Sequence, residues 1–205
     1  AKRVLEKGKR QGVDKGKLDE FSVKLSSASQ SGDPKCLSPS QVQLQNLLDL
    51  YQTEKYDSAE KLAISMTEEF PNHAFGWSIL GALYDQGGRK EEALNANEEA
   101  VRLAPKDPSV QSNFGVMLHG LGRFEEAEMS LRRAVELDSR SALSHNNLGS
   151  TLKELGKLEE AELCYRQAIE LNPNIAIAHN NLGNILKEIG KLKEAEASYK
   201  QAIAL

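Results

Sequence analysis

The sequence predicts an all-α protein built as a solenoid of helix-turn-helix units, and three observations carry that expectation. HNNLGSTLKELGKLEEAELCYRQAIEL, beginning at His145, is nearly restated by HNNLGNILKEIGKLKEAEASYKQAIAL from His179, 34 residues later. Small residues keep the same step: Ala59, Ala93, Ala127, Ala161 and Ala195, with Gly88, Gly122, Gly156 and Gly190. Pro71, Pro105 and Pro173 punctuate the units, with Ser139 where a fourth would stand. Such a period marks units that cannot bury an apolar face alone and stack on their neighbours to do so.

Residues 1–39 read as a basic, mostly flexible lead-in. Gly8, Gly12 and Gly16 interrupt its first stretch, and glycine discourages a continuous helix. Leu18, Phe21 and Leu25 allow a short amphipathic helix within 17–28. SSASQSGDPKCLSPS then has the composition of a linker. Lys2-Arg3 and Lys9-Arg10 read as solvated charge rather than an address or an anionic-surface patch. Gly12 and Gly16-Lys17 miss the phosphate-loop spacing by one residue, and Leu18 stands where a magnesium-binding Ser or Thr is needed.

Residues 40–205 read as five units. The first, 40–73, keeps Tyr56, Ala59 and Pro71 but its first helix lacks the Leu-Gly pair, as a capping unit would. Ser40 is the expected N-cap. Units 74–107, 108–141 and 142–175 each divide into two helices of about fourteen residues around a tight turn. In the fourth, Leu148, Leu152 and Leu155 form the inward stripe of the first helix. Gly156 closes that helix in the left-handed region. Glu159 and Glu160 favour the dipole at the start of the second helix, and Tyr165, Ala168, Ile169 and Leu171 form its buried side. The last unit, 176–205, stops before its own Asn-Pro ending and without a polar closing helix, and Ala1 is no initiator Met. The chain is therefore expected to be a piece of a longer one.

Trp77, Leu80, Gly81 and Tyr84 spell W-x2-L-G-x2-Y, with Ala93 and Pro105 at the offsets that follow. Over residues 40–205 the chain thus resembles the tetratricopeptide repeat (TPR) family, and the resemblance implies a right-handed TPR superhelix. The HNNLGN-LKE-G-EEAE-Y wording is most similar to the repeat arm of protein O-GlcNAc transferases, and bacterial TPR arrays share it.

Composition narrows the function. Residues 1–39 carry nine Lys/Arg against five Asp/Glu, and the remainder 17 against 25, a net of +4 and −8. An acidic array argues against nucleic acid as ligand. No apolar run approaches the ~18 residues of a membrane span. Cys36 and Cys164 form neither a disulfide framework nor a metal knuckle, which together with the absence of a signal sequence suits a cytoplasmic protein without cofactor. His145 and His179 fill the slot of Trp77, where packing is expected rather than metal ligation. The Glu pairs at 91–92, 125–126 and 159–160 recur with the repeat as helix-start residues, so no catalytic dyad is expected.

The informative set is Asn113, Asn147 and Asn181, one per unit at the sixth place of the first helix. A carboxamide both donates and accepts, so it can hold a peptide backbone without reading side chains. Asn is a poor mid-helix residue, which weighs against a purely structural spacer. By resemblance to O-GlcNAc transferase arms these asparagines face a concave groove and contact a partner's main chain. Asn146, Asn180, Ser150, Asn184, Lys153 and Lys187 would complete a polar lining, with Glu154 and Glu188 beside the lysines. Chaperone-type carboxylate clamps need basic residues where this chain has Phe75, Ser109, Leu143 and Ile177. The sequence therefore reads as an interaction scaffold for an extended or helical protein segment. The alternative is the substrate-recruiting arm of a larger transferase, and self-association through an uncapped C-terminal end is a third.

Overall fold

A computed structural model describes residues 38–205; the expected helix within 17–28 and Cys36 lie outside them. Among the described residues there are ten α-helices and no strand. They fall into two compact units, one ending at Pro105 and the other spanning Lys106–Leu205.

The first unit holds α1 (Gln41–Gln52), α2 (Tyr56–Glu69), α3 (Ala74–Gln86) and α4 (Lys90–Leu103). Ser40 caps α1 through a reciprocal pair: its Oγ accepts from the Gln43 N–H at 3.2 Å and its N–H donates to Gln43 Oε1 at 2.9 Å. Leu44, Leu47, Leu48 and Tyr51 of α1 then share one buried cluster with Ala59 and Met66 of α2 and Phe75 and Leu80 of α3. The α3–α4 turn uses Gly88 at φ +76°. The α1–α2 turn must make the same reversal without a glycine, and Glu54 takes φ +58°. Its neighbour's N–H still closes the helix, Lys55 donating to the Leu50 carbonyl at 3.0 Å.

The second unit holds three helix pairs: α5 (Pro108–Gly120) with α6 (Phe124–Leu137), α7 (Ala142–Glu154) with α8 (Leu158–Leu171), and α9 (Ala176–Glu188) with α10 (Leu192–Ala204). Each hairpin turns at a left-handed glycine, Gly122, Gly156 or Gly190. At Gly156 the N–H of Lys157 returns to the Leu152 carbonyl at 2.9 Å, satisfying a carbonyl the helix end would orphan. The other repeated glycine serves contact instead. A Cβ on Gly149 would lie 2.9 Å from the Tyr165 ring, and one on Gly115 2.5 Å from Leu131. The second helix of each pair rests its large side chain on that bare backbone.

Ala127 and Ala161 are fully buried. Tyr165, also fully buried, packs with Leu148, Leu152, Leu182, Ile185 and Leu186. The expected stripes hold at Leu148, Leu152, Tyr165 and Ala168, while Leu155, Ile169 and Leu171 are only half-buried. Successive second helices are laced by ion pairs in the same 34-residue step. Glu128 of α6 takes Lys157 at 2.7 Å and Arg132 at 2.9 Å; Glu162 of α8 takes Lys191 at 3.0 Å and Arg166 at 2.8 Å. Burial alone would raise these carboxyls, but the paired cations hold both below their ordinary value of 4.5.

Candidate functional site

The first helices of the second unit stand in a row, α5 touching α7 and α7 touching α9. Because one helix register repeats, residues 34 apart occupy equivalent places on the row. Asn113, Asn147 and Asn181 are all half-buried there. Asn146, one residue before, is only 3% exposed. Its Oδ1 accepts from Asn181 Nδ2 of the next repeat at 3.2 Å, so it serves the joint between α7 and α9. Asn180, at the equivalent place on α9, is exposed. Asn147 is held through its backbone: Thr151 Oγ1 donates to its carbonyl at 3.2 Å, and His119 Nδ1 lies 3.1 Å from that hydroxyl. The Asn147 carboxamide nitrogen itself is buried without a partner.

The remaining expected residues divide by exposure. Ser150 is half-buried, donating to the Asn146 carbonyl at 3.1 Å and accepting from Tyr165 Oη at 3.2 Å. Asn184 is exposed and accepts from Tyr199 Oη at 2.8 Å. Each is thus oriented by the tyrosine lying across the bare glycine within the first helix, Tyr165 on Gly149 and Tyr199 on Gly183. Lys153 has Glu154 at 3.5 Å, and Lys187 is exposed beside exposed Glu188, so the charges on this face balance.

The tyrosine hydroxyls and the His119–Thr151 contact went unread in the sequence. The fifteen-residue spacing from Ser150 to Tyr165, repeated from Asn184 to Tyr199, was the available signal. The slot of Trp77 also does more than pack. Trp77 Nε1 donates to the Pro71 carbonyl at 3.1 Å, and His145 and His179 Nε2 reach the Ser139 and Pro173 carbonyls at 3.1 and 3.0 Å. All three ring nitrogens tie a helix to the loop six residues before it. Since a carbonyl can only accept, Nε2 of both histidines carries the proton.

Titratable groups elsewhere are tuned by packing. Burial lowers His119 below its ordinary 6.5, with Glu154 opposing and Lys153 assisting, and burial likewise lowers His73. Burial pushes the Cys164 thiol up to about 11, so it carries little thiolate at neutral pH. Among the described residues no cluster of His, Cys, Asp and Glu could hold a metal ion, and no helix is long and apolar enough to cross a membrane. Leu192, Tyr199 and Ile203 line a shallow hollow of ≈ 380 Å³ on α9 and α10.

Comparison with known proteins agrees with the fold. A search of curated protein sequences found no match. Solved structures similar to this chain include PilF of Pseudomonas aeruginosa, at a TM-score of 0.73 and 19% identity, covering 80% of this chain and 74% of that one. MamA from Desulfovibrio magneticus RS-1 aligns at 0.69 and 16%, covering 80% and 93%. YrrB, a TPR protein with an unusual peptide-binding site, aligns at 0.63 and 21%, covering 90% and 91%. At these identities the likeness is one of fold. Tetratricopeptide repeat models match residues 44–108, 109–141, 130–162 and 176–205, and a TPR repeat model matches 149–190. These matches run without a gap from 44 to 205, and the chain belongs to the tetratricopeptide repeat family.

Proposed function

We propose that the face shared by α5, α7 and α9 binds an extended or helical segment of a protein partner, with Asn113, Asn147 and Asn181 contacting its main chain. The observation that carries this reading is three half-buried carboxamides, one per repeat, on helices that touch in series. The role given to them rests on the resemblance of the HNNLGN wording to O-GlcNAc transferase arms. Balanced charge at Lys153/Glu154 and Lys187/Glu188 supports sequence-tolerant binding over recognition of a strongly charged partner. Ser150 and Asn184 add polar groups one turn further along.

A net hydrogen bond contributes about 0.5–1.5 kcal/mol. Three asparagines together therefore amount to roughly ten-fold to a thousand-fold in affinity, with tenfold per 1.4 kcal/mol. The test selects a peptide from a displayed library on the wild-type chain, then measures its affinity for the triple variant N113A/N147A/N181A. Affinity falls at least ten-fold with the far-ultraviolet circular dichroism unchanged. Undiminished affinity in a folded triple variant refutes the role of the asparagines.

A further inference from the structure

We infer that the ladder asparagines are of two kinds: Asn181 commits its amide donor to the fold and meets a ligand through its carboxamide oxygen alone, whereas Asn147 keeps its amide donor for a ligand carbonyl. This rests on the binding face proposed above and divides its labour. Asn181 Nδ2 on α9 donates to Asn146 Oδ1 on α7, and Asn146 is buried, so this bond clips two first helices together. One repeat earlier the same register sets Asn147 opposite residue 112, which is serine. Ser112 is 6% exposed, its hydroxyl oxygen sits one bond nearer the backbone than an asparagine Oδ1, and Asn147 Nδ2 is left buried without an acceptor.

A buried donor with no acceptor is destabilising, so such a group calls for an explanation. The Asn147 backbone carbonyl is held by Thr151, itself beside His119, while the carboxamide nitrogen has no partner. Rotation about the last side-chain bond toward an acceptor offered at the face removes the penalty. Asn181 gains nothing by the same rotation, because it breaks the clip. The matching ligand group is a carbonyl oxygen, such as that of an extended main chain, and it needs no N–H of its own.

N,N-dimethylacetamide, a carbonyl acceptor without an N–H, is the probe. Titrated into ¹⁵N-labelled chain, it shifts the side-chain amide pair of Asn147 several-fold more than that of Asn181. Ser112→Asn supplies the missing acceptor, reduces the Asn147 response to the level of Asn181 and raises Tm. Asn146→Ser makes the reciprocal change by removing an acceptor, and Asn181 then responds as Asn147 does; it serves alone if the larger side chain at 112 does not fold. Equal responses in the wild type, or responses unmoved by the variants, overturn the division. The probe needs no peptide, so the two readings fail separately. Equal responses with a peptide-affinity loss in the triple variant overturn only this inference, and a selective Asn147 response with undiminished peptide affinity overturns only the peptide reading.

Discussion

Replacing Gly149 by alanine sets two effects of known sign against each other. Alanine is the better helix former by about 0.8–1.0 kcal/mol. Its Cβ, however, would sit 2.9, 3.0 and 3.1 Å from Cε1, Cδ1 and Cζ of Tyr165. That ring cannot step aside: it is fully buried among Leu148, Leu152, Leu182 and Leu186, with its hydroxyl on Ser150. Forcing a methyl into a packed core costs about 1–3 kcal/mol, so the net expectation is a loss of about 1 kcal/mol. In a Tyr165→Ala background the obstacle is gone, and only the helix preference remains. There the same substitution stabilises by about 1 kcal/mol, although Tyr165→Ala itself costs about 3–5 kcal/mol. The cycle thus predicts a coupling of about 2 kcal/mol. Urea unfolding followed by circular dichroism, with agreement between probes checked first because repeat arrays can depart from two-state behaviour, measures all four corners. An equal effect of Gly149→Ala in both backgrounds refutes the claim that this glycine exists for the tyrosine.

Two further outcomes follow from the same geometry. Glu54 occupies the left-handed region that the later hairpins give to glycine, so Glu54→Gly stabilises by about 0.5–1 kcal/mol, the left-handed penalty less the entropy glycine returns to the unfolded chain; a loss on thermal melting contradicts this. Glu128 and Glu162 have folded pKa values held below 4.5, so their stabilisation is complete above the unfolded value and disappears as pH falls through the folded one. The stability difference between wild type and Glu128→Gln/Glu162→Gln is therefore full at about pH 6 and shrinks below about pH 4.5; a difference that is constant with pH contradicts the ion-pair account.

Much of the fold was legible because its cause is local. Gly122, Gly156 and Gly190 mark turns by their backbone freedom, and Ala127 and Ala161 mark helix crossings by size, wherever the neighbours lie. The turn at Glu54 escaped because the ruler that finds glycines finds none there, and the chain reverses regardless. The site was less legible because its details depend on which helix lies opposite. Asn146 and Asn147 are adjacent and chemically identical, yet one is a buried acceptor and the other has an idle donor. Asn146 meets Asn181, 35 positions later, and the same register pairs Asn147 with Ser112, 35 positions earlier. Likewise His145, His179 and Trp77 share a ring N–H, which a reading for aromatic packing overlooks and the preceding loop carbonyl uses.

A partner segment is expected to lie on the first helices of the second unit. A crystal structure of the chain with the library-selected peptide tests it most directly. Main-chain density running across α5, α7 and α9 within hydrogen-bond distance of Asn113 and Asn147 is the expected result. A peptide seated instead on the ion-paired second helices, or in the hollow beside Leu192 and Ile203, contradicts it.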